Sequence, residues 1–228
     1  MAAAELPPDP APVPPRAPIR GRRVALVPLD PARHEQRLYA SLHGRDADPR
    51  LWEYLPYGPF ERGVWARWLA ASARSEDPLF FAVERRDGEP LGFLSLMRIE
   101  PAHRCLEIGH VAFGPALQRT PEATEAIFLA ARHALDELGY RRLEWKCDAR
   151  NARSRAAAER FGFTYEGTFR QHMIVKGRNR DTAWYAILDY EWPPLRAAFE
   201  RWLDDANFDE AGRQRARLAD LREDSSHC

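Results

Sequence analysis

The sequence predicts an α/β fold of the α+β type, in which helices flank a central, mixed but mostly antiparallel sheet of six to seven strands. Three observations support this prediction. Apolar stretches of strand length alternate with segments of helical periodicity. An Asp-Gly pair separates two of the apolar stretches, which is a strong hairpin signal. The order strand, helix, strand, helix, strand in the second half requires a parallel pairing within the sheet.

The first elements follow a proline-rich start. Residues 1–20 hold seven prolines, so we expect this leader to be disordered. An apolar strand is predicted over 23–28. Asp30-Pro31 places an N-cap residue before a proline at the first helical position, which predicts a helix to about Leu42. A second helix is predicted over 61–73.

The middle of the chain reads as a meander followed by a helix. Strands are predicted over 79–84 and 91–97, on either side of Asp87-Gly88, and a third strand over 106–113. A helix is predicted over 122–138, where Gly139 is placed to end it. Its apolar residues recur at helical spacing: Ile127, Phe128, Ala131, Ala134, Leu135 and Leu138.

The last predicted strands cover 143–147, 163–169 and 182–190, with a short helix over 152–160 between the first two. These assignments predict one domain over residues 21–192. The remaining residues, 193–228, form a charged C-terminal extension that is predicted to be helical, and its weak apolar pattern leaves docking and disorder both open.

Composition excludes several classes of protein. Lys+Arg and Asp+Glu both number 34, so no charge bias points to DNA or to an anionic membrane. The apolar runs are too short to span a bilayer, and the N-terminus lacks a secretory signal. The three cysteines are scattered, so neither a disulfide framework nor a metal site is expected. A reduced, cytoplasmic setting is the expectation.

Three segments together resemble a known family. They are Glu107-Ile-Gly-His110, Gln118–Ala126 (QRTPEATEA), and Asn151-Ala-Arg-Ser154 with the following Glu159–Phe163 (ERFGF). In this order and spacing, residues 22–192 resemble the GNAT (Gcn5-related) N-acyltransferase superfamily, closest to its RimJ/RimL-like branch. The resemblance implies an enzyme that moves an acetyl or other acyl group from acyl-CoA, most simply acetyl-CoA, to a primary amine by direct attack.

The resemblance also implies where the co-substrate lies. Strands 106–113 and 143–149 would splay apart, and the unpaired backbone of Val111, Ala112 and Phe113 would hold the pantetheine arm of CoA. A plain buried strand is the alternative.

The turn after this strand would hold the pyrophosphate, because amides at a helix N-terminus point outward unpaired in the positive end of the helix dipole. Proline stands at 121, where the family has glycine, so one donor is lost. With Thr120 as the N-cap, Pro121 occupies the tolerated first position, and the next three amides stay available. An ordinary helix cap is the alternative. The predicted phosphate-binding residues are Gln118, Arg119, Thr120, Glu122, Ala123 and Thr124.

Two further residues come from the third segment. By resemblance, Asn151 bonds the pantetheine arm and Ser154 lies near the sulfur. The alternative is that Asn151 caps the helix and Ser154 is an ordinary first-turn residue. Many family members place a tyrosine where this chain has Ala158, so Ser154 becomes the candidate that stabilises the leaving thiolate.

The candidate bases are Glu107 and His110. On an ideal strand they face opposite sides, and Glu107 shares a side with Val111, whose N–H is the implied oxyanion donor. His110 has the more suitable ordinary pKa. A strand Glu in a salt bridge and a core His are the structural alternatives.

The acceptor is left open between a protein N-terminus and a small amine. The groove for the acceptor would be lined by the aromatic loop 52–60 and by the polar segments 170–172 and 176–181. Segment 176–181 could instead bind an acidic substrate, contact RNA, or be a solvated hairpin tip. Pro121 and Ala158 leave open a non-catalytic acyl-CoA-binding sensor. A homodimer is among the states that the sequence allows.

Overall fold

The structure is a computed structural model that describes residues 9–225, with side chains described to residue 222. Within these residues, one eight-stranded sheet has the order β1-β2-β3-β4-β5-β6-β8-β7. All neighbouring strands are antiparallel except β5 and β6, which are parallel. The strands are β1 Ile19–Arg20, β2 Val24–Pro28, β3 Leu79–Arg85, β4 Pro90–Glu100, β5 Cys105–Phe113, β6 Arg142–Asp148, β7 Thr164–Val175 and β8 Arg178–Leu188.

Six α-helices flank the sheet in the described part of the chain: α1 Pro31–His43, α2 Arg62–Ser72, α3 Pro121–Arg132, α4 Ala152–Arg160, α5 Trp192–Leu203 and α6 Leu218–Ser225. Asp30 caps α1 by accepting the Ala32 amide, as its sequence position predicted. The α-helical part of α3 ends at Arg132 and continues as a π-helical turn, His133–Glu137. No helix within residues 9–225 is long and apolar enough to cross a membrane.

These elements confirm the predicted fold class and hairpin, and the sheet has one or two strands more than expected. A larger difference from the predicted strands 163–169 and 182–190 lies in β7 and β8. These strands extend toward each other as far as a tight turn at Lys176-Gly177. Residues 170–181 are mostly polar, and the three apolar residues among them, Met173, Ile174 and Val175, are consecutive. Without alternation, the pairing of this segment could not be recognised from the sequence.

Each face of the sheet carries its own hydrophobic core. One core contains Leu106 and Ile108 of β5 with residues of α3 and α5. The other lies under α1 and α2 and includes Ala112 of β5. The acidic side chain of Glu125 in α3 accepts three backbone amides at the start of β2, from Arg22, Arg23 and Val24. This fixes the N-terminal half of α3 against the sheet.

Both ends of the described chain pack onto the domain. The structure differs here from the predicted disordered leader: Ala11 is buried and its amide donates to Pro101 O at 3.0 Å, and Arg16 donates to the carbonyls of Ala73 and Ser75. At the other end, α5 packs on α3, with the Phe128 and Phe199 rings 5.5 Å apart. The leader residues 1–8 lie outside the described residues.

Candidate active site

The parallel strands β5 and β6 separate soon after they meet. They pair at three positions, from Cys105 with Arg142 to Glu107 with Glu144. Beyond Glu107, among the described residues, β5 pairs with β4 alone and β6 with β8 alone. The predicted splay is present, and the edge of β5 that faces β6 lacks a sheet partner over residues 108–113.

A β-bulge changes the direction of side chains in β5. Phe93 of β4 pairs with Ala112 and Ser95 pairs with Gly109, so two residues of β5 oppose one of β4. His110 lies in the bulge with φ of 50°. A side chain at Gly109 would meet the Met97 sulfur at 2.3 Å, so a larger residue there would require the Met97 side chain to move.

The bulge corrects the predicted sidedness of the candidate bases. Leu106 belongs to the α3-side core, so Glu107 faces the other side, and His110 contacts residues on that same side. Val111 packs against the α3-side core instead. Glu107 and His110 therefore share one face, and Glu107 does not share a side with Val111. We call the shared side the acceptor face.

His110 is held by aromatic neighbours. Its Nδ1 lies 2.8 Å from the Tyr57 hydroxyl, and the two rings stack with centroids 5.4 Å apart. The Phe80 ring lies 5.1 Å away on the same face. Burial, with a smaller contribution from the Arg180 cation, lowers the pKa of His110 to about 4. The imidazole is therefore neutral at pH 7.

Glu107 is buried beside cations. Its carboxylate lies 3.1 Å from Lys146 Nζ and 3.8 Å from Arg98 Nε. Burial raises the pKa of Glu107, although the Lys146 charge opposes this shift. Lys146 also pairs with Glu144 at 2.5 Å and lies 3.8 Å from the centre of the Trp184 ring. The ion pair that the sequence left open for Glu107 is thus present.

The start of α3 has the predicted cap. Thr120 is the N-cap, its Oγ1 accepts from the Ala123 amide at 3.2 Å, and Pro121 holds the first helical position. The Thr124 amide donates to Thr120 O at 3.4 Å. Among the described residues the Glu122 amide has no acceptor. The turn thus leaves fewer free donors than the predicted three.

Gln118 and Arg119 precede the cap residue, and their side chains have different surroundings. The Gln118 side chain donates to Phe113 O at 2.7 Å, which ties the turn to the end of β5. Arg119 has φ of 63° and an exposed side chain. The guanidinium is therefore accessible from solvent beside the start of α3.

The start of α4 has the cap that the sequence left as an alternative. Asn151 Oδ1 accepts from the Ser154 amide at 3.1 Å. The Ser154 hydroxyl oxygen accepts from the Trp145 indole at 3.0 Å, which fixes its position. Ala158 is fully buried in the core.

The aromatic loop 52–60 is tied to the β7–β8 hairpin. Lys176 Nζ donates to Trp52 O at 2.7 Å and to Gly58 O at 2.8 Å. The Tyr54 hydroxyl donates to Arg150 O at 3.4 Å, in the turn before α4. Lys176 is therefore a tether for the loop, a role that its place in a basic run did not reveal.

Glu107 and His110 lie on β5 where it separates from β6, whereas Asn151 and Ser154 lie in the turn and helix that follow β6. Ser154 bonds Trp145 of the α3-side core, and the α3 turn follows the end of β5. The structure also gives individual contacts to side chains that the sequence did not single out. Lys146 and Trp184 lie outside the predicted candidates, and Tyr57, Lys176 and Arg180 lie in segments 52–60 and 176–181, which the sequence assigned to the acceptor groove without separate roles. Alternation within 143–147 places Lys146 opposite the core residues, which was the available signal for it. The other four depend on packing between distant segments.

Comparison with known proteins gives a consistent result. Residues 23–164 match the sequence model of a family described as acetyltransferase (GNAT) domain. A Bacillus subtilis (strain 168) protein, provisionally named ribosomal N-acetyltransferase YdaF, is 32% identical over 110 residues, which are 46% of this chain and 57% of that protein. The match thus spans little more than half of that relative's length.

Two solved structures are similar over most of the chain. A GCN5-related N-acetyltransferase from Brucella melitensis is 47% identical with a TM-score of 0.92, covering 94% of this chain and 98% of that one. A protein from Chromobacterium violaceum ATCC 12472, described as a probable GNAT-family acetyltransferase, is 47% identical with a TM-score of 0.77, covering 84% and 97%.

Proposed function

The chain belongs to the GNAT acetyltransferase family, and we propose that it is an N-acyltransferase that moves an acetyl group from acetyl-CoA to a primary amine by direct attack. The observation that carries this proposal is the unpaired edge of β5 beside β6. Backbone groups on a strand edge are costly to bury without partners, and a linear chain of amides such as pantetheine can bond to them. Acetyl-CoA supplies the activated acyl group as a thioester.

The residues present fit such a co-substrate. Val111, Ala112 and Phe113 lie on the unpaired edge and would bond the pantetheine arm, joined by Asn151 at the start of α4. The pyrophosphate would lie at the start of α3, where the Glu122 amide has no acceptor and the helix dipole favours an anion. The proposed phosphate-binding groups are the Glu122 amide and the exposed Arg119 guanidinium. The amides of Ala123 and Thr124 already bond Thr120, and the Gln118 side chain bonds Phe113 O.

The catalytic roles are assigned to four groups. Direct attack needs a neutral amine, an oxyanion donor and a group that stabilises the thiolate, and positioning supplies much of the rate. We assign the oxyanion donor to the Val111 N–H and thiolate stabilisation to the Ser154 hydroxyl, which Trp145 holds in place. Ala158 stands where many family members have a tyrosine, and its methyl side chain cannot donate a proton to the leaving thiolate.

Glu107 is our first candidate for the base, or for the group that orients the amine. Its pKa is raised by burial, so it accepts a proton more readily than an ordinary carboxylate. His110 lies on the same face, but a pKa of about 4 makes it a weak base. We therefore assign His110 to orienting the acceptor together with Tyr57.

The name of the Bacillus subtilis relative, a ribosomal N-acetyltransferase, favours a protein amine as the acceptor, with a small amine as the second class. The test is a thiol-release assay with acetyl-CoA across peptides and small amines, alongside calorimetric titration of CoA. Thiol release that requires an amine supports the proposal. Glu107→Gln should lower kcat/KM at least about tenfold while CoA binding is kept.

A second candidate function is a non-catalytic acyl-CoA-binding module. The buried Ala158 and the lost donor at Pro121 favour it. Tight CoA binding without thiol release across the whole amine panel would select this second function. Absence of CoA binding would overturn both.

A further inference from the structure

Among the residues that the structure describes, Arg180 has no ion-pair partner for its cation. Its side chain is partly buried, and Nε is buried with no hydrogen-bond acceptor. No carboxylate among the described residues lies within ion-pairing distance of its guanidinium. A buried donor that lacks an acceptor is costly, so Arg180 is poised for an anionic partner.

Two carboxylates that are neighbours of Arg180 in sequence or in the β6–β8 pairing already accept hydrogen bonds from other groups. Asp148 accepts from Arg150 through both oxygens, at 3.0 and 2.8 Å. Asp181 accepts from the Gln171 amide at 2.7 Å and from Asn179 at 2.9 Å. The pKa of each carboxyl is lowered, with these hydrogen bonds contributing, so both stay charged and engaged at neutral pH.

The location of Arg180 connects it to the proposed site. Residues 180, 182 and 184 of β8 alternate onto one face, and Trp184 on that face stacks with Lys146, which pairs with Glu107. The Arg180 cation also contributes, after burial, to the lowered pKa of His110.

Further unpartnered polar atoms share this face. Ser95 Oγ lies on β4 beside Gly109, and Trp184 Nε1 lies on β8; both are buried without a hydrogen-bond partner in the described structure. Three polar groups on one face of the sheet thus lack partners in the described structure, which favours a polar ligand on that face. A planar guanidinium matches a carboxylate through two parallel bonds.

We propose that Arg180 binds a carboxylate carried by one of the two substrates, so that the enzyme selects either an acidic acceptor amine or a dicarboxylic acyl donor. This inference rests on the proposed acyl transfer and names the class of substrate that the site takes. The Arg180 side chain is the specificity-determining group for that carboxylate.

The kinetic test compares matched substrates that differ in one charge. In the acceptor arm, acetyl-CoA is used with amino acids and short peptides whose first residue is glutamate or glutamine, and aspartate or asparagine. In the donor arm, succinyl-CoA and butyryl-CoA are used with one neutral amine. Wild type is expected to prefer the charged member in one arm, and Arg180→Gln to reduce that preference about tenfold to a hundredfold.

Two further variants control this test. Arg178→Gln removes an exposed cation from the same strand and should keep the wild-type preference. Arg180→Lys keeps the charge without the planar fork and should retain part of it. Thermal unfolding midpoints check folding, which the loss of an unpartnered side chain should leave intact.

A binding measurement separates this inference from the proposed function. Glutarate, with 1,5-pentanediol as the uncharged control, is titrated while the His110 ring resonances are followed by NMR. A saturable shift with glutarate is expected in wild type and Arg178→Gln and is absent in Arg180→Gln. If wild type transfers acyl groups but Arg180→Gln leaves both preferences unchanged, the inference is overturned and the proposed function stands. If wild type turns over no pair, the proposed function fails and the glutarate titration alone decides the inference.

Discussion

The Tyr57 hydroxyl lies 2.8 Å from Nδ1 of His110, and their rings stack with an interplanar angle of 12°. Tyr57 belongs to the aromatic loop, whereas His110 lies in the bulge of β5. This contact therefore connects the aromatic loop to the β5 strand at the acceptor face. The loop is held from its other side by Lys176. The acceptor face therefore depends on contacts among three segments that are far apart in sequence.

His110 should make the protein less stable as the pH falls. Its pKa is 6.5 in an ordinary setting and about 4 in the fold, so between these values the unfolded chain takes up a proton that the folded protein does not. Stability is lost over this window as pH decreases, by about 2–3 kcal/mol when the pH reaches 4.5. Urea unfolding at pH 7, 5.5 and 4.5 measures the loss.

His110→Asn should flatten this dependence, because asparagine tolerates the positive φ and does not titrate. His103→Asn, at an exposed loop histidine, is the matched control and should keep the wild-type slope. Identical slopes in wild type and His110→Asn would contradict the assignment.

Two substitutions separate the roles of Asn151. Asn151→Ala removes the cap on α4 and should cost about 1 kcal/mol of unfolding free energy. Asn151→Asp keeps the capping oxygen but loses the amide donor, so stability should stay within about 0.5 kcal/mol. We expect both variants to bind CoA at least about fivefold more weakly, measured by calorimetry. Wild-type affinity in Asn151→Asp would reduce Asn151 to a helix cap.

Ser154→Ala should lower kcat more than it weakens CoA binding, because the hydroxyl is assigned to the leaving thiolate. Its removal also leaves the Trp145 indole N–H without its acceptor, at a cost of about 1–2 kcal/mol in unfolding free energy. Trp145→Phe removes the same hydrogen bond and keeps the hydroxyl. An equal fall in kcat in both variants would show that Ser154 acts through packing alone.

Pro121→Ala should strengthen CoA binding. The alanine restores a backbone N–H at the first position of α3, next to the unpaired Glu122 amide, and one more hydrogen bond to pyrophosphate corresponds to about two- to tenfold in Kd. Pantetheine, which lacks pyrophosphate, serves as the control ligand, and its affinity should not change. An unchanged Kd for CoA would place the pyrophosphate away from the start of α3.

Lys176→Met should release the aromatic loop. Loss of the bonds to Trp52 O and Gly58 O leaves those carbonyls without the lysine donor, so amides in residues 52–60 should exchange hydrogen faster. The KM of the acceptor should rise about fivefold or more, while the Kd of CoA stays constant. Arg178→Met, in the same hairpin, is the control and should change neither the amide exchange of residues 52–60 nor the KM of the acceptor. Amides of the loop that exchange as slowly in Lys176→Met as in wild type would count against the tether.

Local signals in the sequence were sufficient to predict several structural features of this protein. The cap at Thr120, proline at 121 and the hairpin at Asp87-Gly88 depend on neighbouring residues, so their physics is contained in short segments. The splay of β5 from β6 was reached through family resemblance, because the motifs around 107–110 and 118–126 stand in the family's order.

Tertiary structure alone decided which side chains share the acceptor face. The bulge at His110 lies in the pairing of β5 with β4, beside the close approach of Met97 to Gly109. It reverses the alternation that an ideal strand predicts. Lys176 and Arg180 lie in one basic run, yet Lys176 bonds the aromatic loop and Arg180 has no ion-pair partner within the described part of the chain. Pairing across distant strands sets these outcomes, and spacing along the chain does not encode it.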